Sequence, residues 1–147
     1  MNPSHAQALS PGLQALRLSL VVIYIWFGAL KLVDQSPACA LVEATGECVP
    51  IIPPKLWVYI MGWGEVGIGI LLLFRKTVQL AVSLIFGHMI GACSPLILLP
   101  ELSFQSSYPF TPTMAGQYII KNLMIVSAAI AISGVVWERP KRAESKP

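Results

Sequence analysis

Four long apolar stretches, separated by short polar segments, dominate the pattern of the chain. They lie near residues 13–33, 56–74, 78–99 and 117–137. Each is close to the roughly 20 residues that an α-helix needs to cross a hydrocarbon core of about 30 Å. The stretches do not alternate apolar and polar residues, as barrel strands would. Because unpaired backbone groups are costly in lipid, the pattern predicts an all-α protein, a single domain with four transmembrane helices in an antiparallel bundle.

The composition agrees with a membrane location. Hydrophobic residues make up 55% of the chain and charged residues 12%, and the mean hydropathy is +0.69. A soluble domain carries about twice that charged fraction. A nucleic-acid interface would need a basic face with stacking aromatics, and the sequence has no such pattern. We therefore expect the lipid bilayer, and not a nucleic acid, to be the main partner.

The charges between the stretches predict an orientation. The turn between the second and third stretches contains Arg75 and Lys76, and the C-terminal tail, residues 138–147, is basic. The other two loops contain mainly acids, namely Asp34, Glu43, Glu47 and Glu101, with Lys55. Lysine and arginine concentrate in cytoplasmic loops, so both termini are expected on the cytoplasmic side of a bacterial inner membrane. A cleaved signal peptide is the alternative for the first stretch, which however is long and lacks a basic leader.

Each of the four stretches contains a polar residue at membrane depth. Glu65 and His88 fall near the middle of theirs, whereas Lys31 and Lys121 lie roughly 10 Å and 9 Å toward the outer side at the rise of an α-helix. Intramembrane charges tend to pair and to mark functional sites. We therefore expect Glu65 and His88 to form a polar pair, with Lys31, Lys121 and Asn122 around the outer mouth of the bundle.

Several interpretations of this polar cluster remain open. The lysines can instead extend to the outer headgroups, and the contact between Glu65 and His88 can be a purely structural hydrogen bond. A membrane glutamate with a histidine partner can also relay protons or hold a quinone headgroup. The two histidines lack the spacing of a zinc site, so no metal is expected, and no motif identifies a catalytic residue.

Cysteines, glycines and prolines give further expectations. Cys39 and Cys48 share an outer loop, which predicts a structural disulfide, with a redox-active pair as the alternative. Small residues at intervals of four in the third stretch predict close helix packing; they are Ser83, Gly87 and Gly91. The glycines around Glu65 in the second stretch predict the same, namely Gly62, Gly64, Gly67 and Gly69. Pro95 predicts a kink or end of the third helix. Thr111 and Pro112 predict the start of the fourth.

Short motifs in three of the stretches resemble a known family. They comprise Arg17 and Gly28-Ala29-Leu30-Lys31 in the first, Gly62-Trp63-Gly64-Glu65 in the second, and Gly116-Gln117-Tyr118-Ile119-Ile120-Lys121-Asn122-Leu123 at the head of the fourth. In this order and spacing the chain resembles the DoxX-like group of small four-helix membrane proteins. Neither His88 nor the outer cysteine pair belongs to that pattern.

The resemblance implies a four-helix bundle and, for some relatives, a role as the membrane subunit of a thiosulfate:quinone oxidoreductase or of a detoxification assembly. The leading expectation is an accessory or quinone-interacting subunit of a membrane redox system. The cofactor stays open, with quinone as the candidate, and a redox protein is the candidate partner. The alternative is a non-catalytic chaperone, scaffold or small transporter. Whether the chain is an enzyme, and whether it forms a homo-oligomer, both stay open.

Overall fold

A computed structural model describes residues 3–48, 51–105 and 108–137. The basic tail, residues 138–147, lies outside these ranges. The described part contains seven helices: α1 (Pro3–Leu32), α2 (Cys39–Glu47), α3 (Pro54–Leu73), α4 (Val78–Cys93), α5 (Pro95–Leu98), α6 (Pro100–Ser103) and α7 (Met114–Trp137). A hairpin of two antiparallel strands, β1 (Phe104–Gln105) and β2 (Tyr108–Pro112), lies before α7.

The predicted spans agree with the helices of the structure. Four helical segments are long and apolar enough to cross a membrane, namely Pro11–Leu32, Pro54–Leu73, Val78–Leu98 and Met114–Gly134. The predicted bounds differ from these by at most three residues. The protein is thus mainly helical as predicted. The short hairpin and the loop helices α2, α5 and α6 were not foreseen.

The four long helices contact one another in a ring. Helix α1 packs against α3, α3 against α4, α4 against α7, and α7 against α1. Leu72, Ile85 and Ala129 are fully buried where α3, α4 and α7 meet, and Tyr24 of α1 is 3% exposed in the same core. Other large apolar side chains, such as Trp26, point outward. Such an outer surface suits lipid.

Glycines bring α1 and α3 unusually close together. A Cβ atom on Gly28 would lie 2.8 Å from the carbonyl oxygen of Gly62. A Cβ on Gly69 would lie 2.5 Å from the Cγ1 atom of Ile25. In lipid, helices associate through close contact of this kind because there is no hydrophobic driving force between them. Small residues therefore form the seam between α1 and α3.

The other glycines of the pattern do not pack closely against the described helices of the chain. Cβ atoms added to Gly64, Gly67 and Gly87 would have nothing within 4 Å among the described residues, and one on Gly91 would make only an ordinary contact with Met61 at 3.7 Å. Ser83, Gly87 and Gly91 share an exposed face of α4. An interval of four residues defines a face of a helix but not what the face contacts.

Pro95 and Thr113 lie at helix ends in the structure. Helix α4 ends at Cys93, and Pro95 begins the short helix α5, as the sequence predicted. The predicted start of the fourth span at Thr111 and Pro112 is wrong, because both residues belong to β2. Thr113 caps α7 instead, since its Oγ1 atom accepts a hydrogen bond from the N–H of Gly116 at 3.2 Å and donates one to the carbonyl oxygen of Leu102.

Candidate functional site

Glu65 lies at the centre of a buried polar cluster that joins three helices. Its Oε2 atom is 2.6 Å from Nζ of Lys31 on α1, and its Oε1 atom is 3.1 Å from Nε2 of His88 on α4. Glu65 is 8% exposed and Lys31 is 7% exposed, and the His88 side chain is nearly buried. One carboxylate thus holds a cation and an imidazole at the same point of the bundle.

The glycine seam explains why Lys31 reaches Glu65. Gly28, one turn before Lys31, lies so close to α3 that a Cβ atom there would be 2.9 Å from Cβ of Glu65. The lysine therefore begins next to the carboxylate, and its chain needs no long inward extension. The alternative that Lys31 extends to the outer headgroups is wrong, because its ammonium group is buried and hydrogen-bonded.

Charge balance indicates which of the three groups carry a charge. A charge inside a membrane is expensive unless it is paired, and the ammonium of Lys31 with the carboxylate of Glu65 gives a neutral pair. We assign a neutral imidazole to His88, since a third charge would leave the cluster with a net positive charge. The geometry then requires that Nε2–H donates to Glu65. Nδ1 of His88 is left as a bare acceptor.

Tyr24 adjoins this cluster and was not predicted from the sequence. Its ring lies edge-on to the imidazole of His88, with 5.7 Å between ring centroids and an interplanar angle of 66°. The Tyr24 hydroxyl and His88 Nδ1 are both buried and have no hydrogen-bond partner within the described ranges. A signal was available, because Tyr24 precedes Lys31 by two helical turns and so lies on the same face of α1.

The structure does not bring Lys121 to the cluster. Lys121 is exposed on α7, and its Nζ atom lies 5.6 Å from the centroid of the Tyr118 ring, within the range of a cation–π interaction. Asn122 is half-buried on the same helix, and the hydrogen bonds to Glu65 do not involve it. Of the predicted set, only Glu65, His88 and Lys31 meet.

The predicted disulfide between Cys39 and Cys48 is wrong. Both thiols are free. Cys39 is the first residue of the nine-residue helix α2, and Cys48 follows its last residue. At about 1.5 Å of rise per residue their Cα atoms are roughly 13 Å apart, whereas a disulfide needs about 4.4 to 6.8 Å. A helix was not expected in this loop, and it holds the two cysteines apart.

The chemistry that the geometry of the cluster supports is hydrogen bonding. Within residues 3–48, 51–105 and 108–137, no group of three or more His, Cys, Asp or Glu side chains could hold a metal ion. Glu65 orients the imidazole of His88, in the way that a carboxylate fixes the tautomer of a histidine elsewhere. The Nδ1 atom and the Tyr24 hydroxyl are the two buried polar atoms of this cluster without a hydrogen-bond partner within the described ranges.

Comparison with known proteins supports the family resemblance. The family model described as DoxX matches residues 12–98, which is more than half of the chain and includes Lys31, Glu65 and His88. The motif at the head of α7 lies beyond the matched range. Searches of curated proteins and of solved structures found no match. With its four apolar helices and this match, the chain is an integral membrane protein that belongs to the DoxX family.

Proposed function

We propose that this chain is an accessory, quinone-interacting subunit of a membrane redox system. The observation that supports the proposal is the buried contact of Glu65 with both Lys31 and His88. Three ionisable groups at membrane depth are costly, and such groups usually mark a substrate, ion or proton pathway. A purely structural role would be met by the pair of Lys31 and Glu65 alone, whereas His88 adds an imidazole that can both donate and accept hydrogen bonds.

Two unpartnered polar atoms of the cluster, on Tyr24 and His88, support a quinone headgroup as the ligand. When bound, a quinone supplies two-electron chemistry coupled to uptake or release of protons. The hydroxyl of Tyr24 would donate to a carbonyl oxygen of the headgroup, and the unpartnered Nδ1 of His88 would accept from a hydroxyl group of its reduced form. Glu65 would hold the imidazole in place through Nε2–H, and the ammonium of Lys31 would keep the carboxylate ionised.

We also propose the orientation and the compartment. The basic turn at Arg75 and Lys76 and the basic tail would face the cytoplasm of a bacterial cell, and α2 would lie on the outer side. A partner redox protein would then meet the subunit at one of its membrane surfaces. This arrangement rests on the charge asymmetry of the sequence.

A second candidate function is a non-catalytic scaffold, chaperone or small transporter. The exposed face of α4 formed by Ser83, Gly87 and Gly91 favours it, because small residues of this kind let another membrane helix approach closely. If this second function is correct, the polar cluster has a structural role and holds α1, α3 and α4 together. The two functions differ in whether the purified protein carries quinone.

Purification in a mild detergent would test the proposal. We expect organic extracts of the purified protein to contain quinone, or mass spectrometry to detect a co-purified redox enzyme. Glu65→Gln removes the charge that pairs with Lys31, so the variant should retain less of either. Glu101→Gln is the matched control, because Glu101 is an exposed acid of α6. If a folded Glu65→Gln protein retains as much quinone and partner enzyme as the unmodified protein, the polar cluster is not the site of the proposed function.

A further inference from the structure

We propose that Tyr24 and His88 form a two-point site that prefers a hydroxyl-bearing quinol to the corresponding quinone. The inference deepens the proposed function and rests on it, because it concerns which redox form of the ligand is held. Two buried polar atoms, on the adjoining rings of Tyr24 and His88, lack partners within the described part of the chain. Buried polar atoms are ordinarily hydrogen-bonded, so each such exception requires an explanation.

The first atom, Nδ1 of His88, is an acceptor. The carboxylate of Glu65 can only accept, so the hydrogen between it and His88 must come from Nε2. The ammonium of Lys31 already neutralises Glu65, which favours an uncharged imidazole. An uncharged imidazole with its proton on Nε2 has a lone pair on Nδ1. A ligand that satisfies Nδ1 must therefore present a donor.

The second atom, the hydroxyl oxygen of Tyr24, belongs to a residue that is only 3% exposed. The hydroxyl can donate one hydrogen bond and can also accept. The ring is held among the apolar core residues of the bundle, including Leu20 and Ile68. The edge-on contact with the imidazole limits the directions in which the hydroxyl group can point. Tyr24 thus provides a buried donor on the ring that adjoins the imidazole of His88.

A quinol hydroxyl complements this pair, whereas a quinone carbonyl does not. The hydroxyl group of a quinol donates a hydrogen, which Nδ1 can accept, and its oxygen can accept from Tyr24. The carbonyl oxygens of a quinone can accept from Tyr24 but have no hydrogen for Nδ1. Binding the oxidised form would therefore leave one buried acceptor unsatisfied, which carries a penalty. The hydrogen-bonding groups of Tyr24 and His88 therefore favour the quinol over the quinone.

Binding measurements with both redox forms would test this preference. The full-length protein in detergent would be titrated without oxygen with a short-chain benzoquinol and, separately, with the same benzoquinone. The quinol should bind about five- to tenfold more tightly, which is the effect of one hydrogen bond. Tyr24→Phe should weaken quinol binding by a similar factor. Tyr59→Phe is the matched control, since Tyr59 is an exposed tyrosine of α3.

Each result decides the inference. Tighter binding of quinol by the unmodified protein supports it, and this comparison does not depend on whether any variant folds. Equal binding of the two forms, or tighter binding of quinone, overturns the inference but leaves the proposed function in place. Binding of neither form overturns both the inference and the proposed function. Unchanged quinol affinity in a folded Tyr24→Phe protein excludes Tyr24 from the site.

Discussion

Gly28 of α1 lies against Gly62 of α3, with room for hydrogen atoms only. A Cβ atom on Gly28 would be 2.8 Å from the carbonyl oxygen of Gly62, and one on Gly62 would be 3.1 Å from the carbonyl oxygen of Gly28. The contact is reciprocal and involves backbone atoms, which cannot rotate away. The same contact sets the distance between Lys31 and Glu65.

Gly28→Ala should therefore destabilise the protein. The added methyl group must push α1 from α3, and overpacking of this kind costs about 1 to 3 kcal/mol. The expected result is a lower midpoint of thermal unfolding in detergent. Gly64→Ala is the control on the same pair of helices, because nothing lies within 4 Å of a Cβ at Gly64 among the described residues. Equal unfolding midpoints for the two variants would contradict the close contact between α1 and α3 at Gly28.

Lys31 and Glu65 should show strong energetic coupling. Lys31→Met leaves a buried carboxylate without its cation, and Glu65→Gln leaves a buried ammonium without its anion. Breaking a buried ion pair by removing one partner costs about 3 to 5 kcal/mol. The double variant leaves neither charge, so its loss of stability should be smaller than the sum of the single losses. Additive losses, measured by unfolding in detergent, would mean that the pair is not formed.

Lys121 should be dispensable for the site. Lys121→Met removes an exposed cation above Tyr118 and should leave the amount of retained quinone or partner enzyme unchanged. Lys31→Met, the same substitution at the buried position, should lower it. Extraction and quantification of quinone from the two purified variants would distinguish them. A loss in Lys121→Met equal to that in Lys31→Met would place Lys121 in the site after all.

Cys39 and Cys48 should behave as independent thiols. Because α2 separates them, a reducing agent should not change the midpoint of unfolding. Burial raises the pKa of the Cys39 thiol, so at a given pH less of it is the reactive thiolate. In a Cys48→Ser protein, maleimide should modify Cys39 slowly and faster as the pH rises. In a Cys39→Ser protein, the exposed Cys48 should react quickly. Comparable rates at neutral pH would contradict the burial of Cys39.

Labelling of Cys48 in intact cells would test the proposed orientation. A maleimide that cannot cross membranes should modify Cys48 when added from outside, since the residue is exposed at the end of α2 on the side opposite Arg75. A cysteine introduced by Lys76→Cys, in a protein otherwise lacking cysteine, should react only after the cells are opened. The reverse labelling pattern would mean that the protein has the opposite orientation in the membrane.

The sequence predicted the four spans well because a membrane imposes a length and an apolar composition on each helix. It predicted the loops poorly. The hairpin of β1 and β2 depends on the backbone bond from Thr113 N–H to the carbonyl oxygen of Ser103 at 2.9 Å, and no periodicity in residues 104–112 indicates it. Helix α2 likewise lies in a loop whose prolines favour irregular backbone, and its nine residues are too few for a clear helical period.

The cluster was only partly predictable for a related reason. Depth along each helix follows from counting residues, and it placed Glu65 and His88 at one level. Rotation of a helix and its offset along a neighbour do not follow from one sequence. Lys121 faces outward because of the rotation of α7, whereas Lys31 reaches Glu65 because Gly28 sets the offset between α1 and α3. The same offset between α1 and α3 places Tyr24 beside His88.

The ion pair between α1 and α3 also has a consequence for biogenesis. Lys31 lies near the end of its span and can remain near the headgroups while α1 is alone in the membrane. Glu65 lies in the middle of α3 and has no such escape, so α3 is expensive to release into lipid until a cation is beside it. We therefore expect α1 to be retained next to the insertion machinery until α3 emerges, and the two helices to enter the bilayer as a pair.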